Sequence, residues 1–296
     1  MSESNTKLQA ECISCLLKKY LDRIPQDASS ETALAYTQRL CRVLAEASPA
    51  MSAPEVVERI NALRRETFGG VEDFGEAKVF FNNLILGLEP HLLDTIRRSS
   101  DPVGLALRYA MLGNYIDFAA MDTVDENRLL RMLEEAEQLA FDDGEAANLW
   151  NELSAAKRLV YLTDNCGEIG LDKLFILTLQ AAFPALRIDA IVRGAPVLND
   201  ATMADARQVG LDAVVPVTDN GTAVAGTCLA RLSPEAKALV DAADVIISKG
   251  QGNFETLRHC GLNVYYLFLC KCRFFADRLG VPLFTGMLLN DRRMKG

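Results

Sequence analysis

The stretch from residue 158 to 170, RLVYLTDNCGEIG, constrains this chain most. Leu159, Val160, Tyr161 and Leu162 form an apolar run with the length and the β-branched and aromatic content of a buried strand. The character then changes at once, to Asp164, Asn165, Cys166, Gly167 and Glu168. Beyond them Ile169, Leu171, Leu174, Phe175, Leu177 and Leu179 recur at spacings that a helix can bury on one side. Strand, short polar turn and helix make the first half of a parallel βαβ unit, and such folds bind ligands at the carboxyl ends of their strands. Asp164 and Asn165 therefore set two oxygen-bearing side chains where a hard cation or a phosphate would be held.

The same rhythm continues to the end of the chain. Strands are expected at 159–163, 187–193, 213–216, 244–248 and 263–270, and helices at 169–182, 203–209, 234–242, 253–259 and 272–279. Strands alternating with helices imply a parallel, doubly wound sheet. From about residue 7 to 150 the pattern is helical throughout, with no strand signal. Ser29-Ser30 before Glu31 reads as a helix cap, and Ser52-Ala53-Pro54-Glu55 opens a helix with Ser as cap and Pro in the first turn. Gly69-Gly70 ends that helix. Another is expected from Asp73 to about Gly87, a new one from Pro90, and a further one from Asp101-Pro102. The expected architecture is α/β, with a helical domain over 1–157 and an α/β domain over 158–296.

Composition narrows the function. The formal net charge of −9 argues against a nucleic-acid partner, because such binding depends on neutralising phosphates with Lys and Arg. The opening MSESNTKLQAEC has no apolar h-region, and no apolar stretch approaches membrane-spanning length. The expectation is a cytoplasmic protein with no membrane partner. Eight scattered cysteines read as thiols in a reducing compartment. His91 and His259 are the only histidines, which rules out a histidine-rich zinc site.

Four of the expected strands end in polar clusters: Asp164 to Glu168; Arg193-Gly194-Ala195-Pro196 reaching Asn199-Asp200; Thr218 to Thr222; and Ser248-Lys249-Gly250-Gln251-Gly252-Asn253. In a parallel sheet these ends share one edge. Carboxylates from two loops with an amide oxygen suit Mg²⁺ or Mn²⁺. Lys249, followed by Gly250 and a helix, suits a phosphate, with Gly167 and Gly250 offering backbone amides to it. Glu168, in a first helical turn, is a candidate for proton handling. Asn82, Asn114 and Asp117 are the polar residues expected to point from the helical half toward the site. Gly250-Gln251-Gly252 lacks the third glycine of a dinucleotide fingerprint. Cys12 and Cys15 lie three apart on one helix face; they read either as small buried residues or, with Cys270 and Cys272, as soft-metal or redox partners. Cys166 reads as a spectator.

The set DNCGE (164–168), RGAPVLNDAT (193–202), SKGQGNFETL (248–257) and KC (271–272), after a helical half with GNYID (113–117), resembles the metal-dependent damage-control phosphatases over nearly the whole chain. The Cys12-Ile13-Ser14-Cys15 pair resembles the CxxC of the archaeal and bacterial subgroup. The resemblance implies a helical domain beside a Rossmann-like α/β domain, with the site in the cleft between. It implies a divalent metal (Mn²⁺, Mg²⁺, Co²⁺ or Ni²⁺) on Asp164, Asn165 and Asp200, and a substrate phosphate on Lys249. The expected activity is hydrolysis of small phosphate monoesters, such as sugar phosphates or damaged phosphorylated metabolites, with Asp164, Glu168 and Lys249 catalytic. Two other readings stand beside it: an S-adenosylmethionine-dependent carboxyl methyltransferase, which the missing glycine fingerprint weakens, and a non-catalytic metabolite-binding protein.

Overall fold

The computed structural model describes residues 7–70, 73–117 and 124–294; residues 1–6 of the polar amino-terminal stretch read above lie outside them. Strand β1 (Arg158–Leu162) runs parallel between β2 (Arg187–Val192) and β4 (Val245–Lys249). Strand β3 (Val217–Asp219) extends the sheet beyond β2, β5 (Val264–Leu269) extends it beyond β4, and β6 (Gly286–Asn290) closes that edge antiparallel to β5. The order is β3-β2-β1-β4-β5-β6. The chain winds outward from β1 in one direction and then crosses to β4 and winds in the other. In such sheets ligands bind at the carboxyl ends where this reversal occurs, here between β1 and β4.

Successive side chains on a strand face opposite ways. Leu159, Tyr161, Val245 and Ile247 join a core with α4 (Gly75–Arg98), α5 (Pro102–Gly113), α6 (Glu126–Glu134), α7 (Asp143–Ala155) and α8 (Glu168–Ala182). On this face Trp150 of α7 sets its ring edgewise to Phe175 of α8, with centroids 6.4 Å apart. Val160, Leu162 and Ile246 face the other way, onto α10 (Pro234–Ala242), α11 (Gln251–Leu257) and α12 (Arg273–Leu279). The short α9 (Met203–Gln208) follows β2. A third apolar cluster, with Leu16, Tyr20, Tyr36, Leu40, Val56 and Ile60, belongs to α1 (Ala10–Asp22), α2 (Ser30–Ala45) and α3 (Ala53–Phe68).

Several helix starts follow from local chemistry. The Ser29 hydroxyl accepts from the Thr32 N–H, Ser52 forms a capping box with Glu55, and Asp101 accepts from the Gly104 N–H. Among the described residues every strand begins at or after Arg158. Three expectations need correction. Pro90 does not start a helix: α4 runs through it without a break. A mid-helix proline costs about 3 kcal/mol. Phe81, Ile85, Leu92 and Ile96 are all buried along α4 on both sides of the proline, and burial of such side chains contributes about 1.5–3 kcal/mol each. The strand expected at 213–216 begins later, at Val217. The N–H groups of Val214 and Val215 close a turn on the Leu211 carbonyl (2.9 and 3.0 Å), and Pro216 has only a carbonyl to offer the sheet, which Ala190 takes. Strand β6 was not foreseen; its pairing is a long-range antiparallel return with no following helix to mark it.

Candidate active site

The turn after β1 and the loop after β2 are stitched together by their backbones. The Cys166 N–H donates to the Asn199 carbonyl (2.9 Å) and the Ala201 N–H to the Asp164 carbonyl (2.7 Å). Asn165 and Asp200 consequently stand opposite each other as an antiparallel bridge. Arg193, just past β2, lies among the acids. Its Nη2 reaches Asp164 Oδ1 at 3.1 Å, its Nε reaches Asp200 Oδ2 at 2.6 Å, and its Nη1 reaches Asn253 Oδ1 at 3.2 Å. Asn114, at the end of α5, donates from Nδ2 to Asp164 Oδ2 and to Glu168 Oε2, both at 3.1 Å. Asn165 donates to the same two oxygens, at 2.7 and 2.9 Å. Asp164, Asn165, Asp200, Glu168, Asn114 and Asp117 are all buried at one place.

Lys249 differs most from expectation. The sequence puts it just past the strand expected at 244–248, where it suits a phosphate. It is instead the last residue of β4 and is fully buried. Its position, two residues after Ile247 and four after Val245, puts it on the α8 side of the sheet. There its ammonium donates to Glu168 Oε1 (2.7 Å), Asp172 Oδ1 (2.7 Å) and the Ala110 carbonyl (2.8 Å). An ammonium has three donors, so all are committed. Tyr161, on the same face of β1, donates to Asp172 Oδ1 at 2.7 Å.

The glycines also serve otherwise than expected. The Gly167 N–H donates to Asn82 Oδ1 (2.6 Å) and the Gly250 N–H to the Leu267 carbonyl (3.0 Å), so neither amide is turned toward a ligand. Gly250 is needed for space. A Cβ there would stand 1.8 Å from Asp164 Oδ2, and its φ of +79° with ψ 157° lies in a region that is essentially glycine-only. Gly250→Ala is therefore expected to destabilise the fold by at least about 1–3 kcal/mol and to displace the Asp164 carboxylate. Urea unfolding and a divalent-cation titration of the variant measure the two effects; wild-type values in both would contradict the packing described.

Asp117 Oδ2 accepts from Lys271 Nζ at 2.6 Å, and Lys271 also donates to the Asn114 carbonyl. Asn82 reaches Asp205 and Gln208 of the β2–α9 region at 3.0 and 2.8 Å. Lys78 Nζ pairs with Asp205 Oδ2 (2.7 Å) and donates to the Asp200 carbonyl (2.8 Å). Arg193 and Asn253 stand in the polar clusters of the sequence without an assigned role, and Asp172 and Tyr161 are not marked there as site residues. Asp172 had a signal: a carboxylate one helical turn after Glu168 in a run otherwise able to be buried. Arg193 had none beyond its place at a strand end.

The charges do not balance within this cluster. Asp117, Asp164, Glu168, Asp172, Asp200 and Asp205 face Lys78, Arg193, Lys249 and Lys271, two more carboxylates than cations. Burial pushes Asp164 well above the usual carboxylate range, helped by the charges of Glu168 and Asp200. Burial lifts Asp200 to about 6 although Arg193 pulls it down, and lifts Asp172 to about 7 against the pull of Lys249. Burial alone would lower the Lys249 ammonium; Asp172 and Glu168 outweigh it, and its pKa rises. A divalent cation would cancel the surplus charge. Among the described residues no three His, Cys, Asp or Glu side chains form a ready-made metal cage. The donors here are two carboxylates and one amide, hard oxygens that suit a Mg²⁺-like ion retaining water. Asp164 Oδ1 and Asp200 Oδ2 each accept one bond from Arg193, Asp164 Oδ2 accepts the Asn114 and Asn165 amides, and Asn165 holds its neighbours through Nδ2; the second lone pair of Asp164 Oδ1, Asp200 Oδ1 and the Asn165 carbonyl oxygen are left as donors to a cation. The residues fit the ion.

Fold and site together define a class: a doubly wound α/β protein with added helices, carrying a buried, acid-rich site where the strand order reverses. The chain belongs to the damage-control phosphatase ARMT1-like domain family, which matches residues 8–285. It is 30% identical to a damage-control phosphatase of Pyrococcus horikoshii over 283 residues, 93% of this chain and 95% of that protein. It is 29% identical to a damage-control phosphatase of Archaeoglobus fulgidus over 284 residues, 93% of this chain and 96% of that one. The crystal structure of a DUF89 family protein from Pyrococcus horikoshii superposes with a TM-score of 0.75 at 26% identity, covering 96% of this chain and 99% of that chain.

Proposed function

We propose that this chain is a divalent-metal-dependent phosphatase of small phosphate monoesters, such as sugar phosphates or other phosphorylated metabolites, acting where the loops after β1, β2 and β4 meet the end of α5. The observation that carries the reading is the surplus of buried carboxylate around Arg193 at the reversal of strand order. Asp164, Asn165 and Asp200 would hold the cation. When bound, it supplies charge to the phosphoryl oxygens and acidity to a water. Arg193 keeps the two carboxylates facing one point. Asn114 and Asn165 fix Asp164 and Glu168 through paired amide hydrogen bonds, so neither acid must reorganise during reaction. Glu168 Oε2, on the side of Asp164, is the group placed to take a proton from an attacking water. Lys249 acts through Glu168 and Asp172, holding their charge and orientation.

The test is turnover of p-nitrophenyl phosphate by protein stripped with chelator, then supplied separately with Mg²⁺, Mn²⁺, Co²⁺ or Ni²⁺. Activity should vanish on stripping and return with at least one ion, and sugar phosphates should compete. Full activity in chelator, or tight S-adenosylmethionine binding without phosphate release, would defeat the proposal.

A further inference from the structure

Lys271 lies in the loop between β5 and α12. Strand β5 runs parallel beside β4, so this loop opens at the same carboxyl edge as those after β1, β2 and β4. Gln251 Oε1 holds the loop there, accepting from the backbone N–H groups of Lys271 (3.2 Å) and Cys272 (3.1 Å). Gln251 directly follows Gly250, which packs on Asp164. The Lys271 side chain turns to the segment after α5, where its ammonium donates to the Asn114 carbonyl and to Asp117 Oδ2 (2.6 Å). That segment touches both loops of the proposed cation site. The Asn114 amide holds Asp164 Oδ2 at 3.1 Å, and the Ile116 carbonyl accepts at 3.1 Å from Nδ2 of Asn199, the neighbour of Asp200. A single residue, Asn114, therefore stands between the Lys271 ammonium and Asp164.

A phosphate ester needs a cation with a donor to offer. Of the four cations in the cluster, Lys249 has all three N–H groups committed and no exposed surface. Each nitrogen of Arg193 already meets a carboxylate or an amide oxygen. Lys78 belongs to the start of α9, where its partner Asp205 also accepts from the Thr202 N–H and hydroxyl, both at 2.8 Å, and from Asn82 at 3.0 Å. Lys271 makes two bonds with three donors, and its third N–H has no partner among the described residues. The Asp117 side chain keeps 12% of its surface exposed, so this pair meets solvent at its carboxylate.

Charge points the same way. Six carboxylates against four cations leave a surplus that one divalent ion balances. A phosphate dianion arriving on that ion then meets no unmatched positive charge. Its oxygens can take the spare donor of Lys271 and also the bond that Asp117 holds, because two negative charges attract the ammonium more than one.

We infer, on the phosphatase reading above, that Lys271 is the residue that binds the substrate phosphate, and that Asp117 is a competing anion that holds the ammonium in place and releases it as the phosphoryl group arrives. The sign of two substitutions separates this role from that of a structural ion pair. If the pair only clamped α5 to the β5–α12 loop, removing either partner would act alike. Under competition, removing the ammonium weakens phosphate binding and removing the carboxylate strengthens it.

The test is calorimetric titration of inorganic phosphate into the full-length protein at saturating Mg²⁺, with p-nitrophenyl phosphate kinetics alongside. Lys271→Met should raise the phosphate dissociation constant about tenfold or more, and KM with it, as expected for one lost charge-assisted bond. Asp117→Asn should lower that constant about threefold or more, because a like charge beside the anion is gone. Should Lys271→Met fail to fold, Asp117→Asn still decides, since it exchanges a carboxylate for an amide of the same size. Unchanged phosphate affinity in folded Lys271→Met, or unchanged or weaker binding in Asp117→Asn, would overturn the inference. Phosphate binding is read without turnover. Wild-type protein that hydrolyses the ester, with both variants binding phosphate as it does, would keep the phosphatase reading and remove Lys271 from it. The two opposite shifts in a protein without turnover would do the reverse.

Discussion

Lys249→Met is expected to cut kcat/KM by at least 100-fold, about 3 kcal/mol, and to destabilise the protein by roughly 3–5 kcal/mol. Both effects come from one geometry. The ammonium lies 2.7 Å from both Glu168 Oε1 and Asp172 Oδ1, in a place with no exposed surface. Removing it leaves two carboxylates buried without their cation, and these must take up protons or draw in water. Asp172 Oδ2 already lacks a hydrogen-bond partner, so that oxygen offers no compensation. Glu168 then loses both its charge and its fixed orientation beside Asp164. Adding Asp172→Asn to Lys249→Met should recover part of the stability and little of the turnover, because Glu168 stays unpaired. Denaturant unfolding and steady-state kinetics on the single and double variants separate the two contributions. A folded Lys249→Met protein with near-wild-type kcat/KM would remove Lys249 from the machinery.

Asp164→Asn is expected to behave differently: divalent-cation affinity and turnover should fall together, each by at least about 100-fold, a differential of roughly 3 kcal/mol. The substitution keeps the side chain's size and removes a charge from the proposed cation site. The fold should survive it, because the substitution keeps the shape of the side chain and relieves part of a cluster in which six carboxylates face four cations. Manganese binding followed by electron paramagnetic resonance reads the affinity, and the phosphatase assay reads turnover. Lys249→Met, by contrast, should leave manganese affinity within a few-fold of wild type, since an ammonium is not a ligand. Lost turnover with intact manganese binding in Asp164→Asn would place the cation elsewhere.

Much of the fold was legible because its signals are local. The apolar run at 159–162, the polar turn and the spaced apolar residues after it gave β1 and α8 nearly to the residue. Ser29, Ser52 and Asp101 marked helix starts because a capping oxygen meets its N–H three residues away. Asp164, Asn165, Glu168 and Asp200 could be named as one group because ligand sites of parallel sheets collect at strand ends, and the backbone bonds between the two loops do bring them together.

Partnership between distant segments is what the sequence by itself left undetermined. That Arg193 lies between Asp164 and Asp200 depends on how far two loops fold toward each other. That Lys249 turns inward depends on its parity along β4 and on Asp172 waiting on α8, so a residue that reads as a solvent-facing phosphate contact becomes a buried ion-pair partner. Helix α4 crosses Pro90 because core contacts on both sides outweigh one lost hydrogen bond, and β6 exists only through its pairing with β5. Residue types and local spacing determined which elements form and which groups carry chemistry. The tertiary structure decided which charge neutralises which, because the energy of a buried charge is set by its neighbours in space, and those neighbours come from remote parts of the chain.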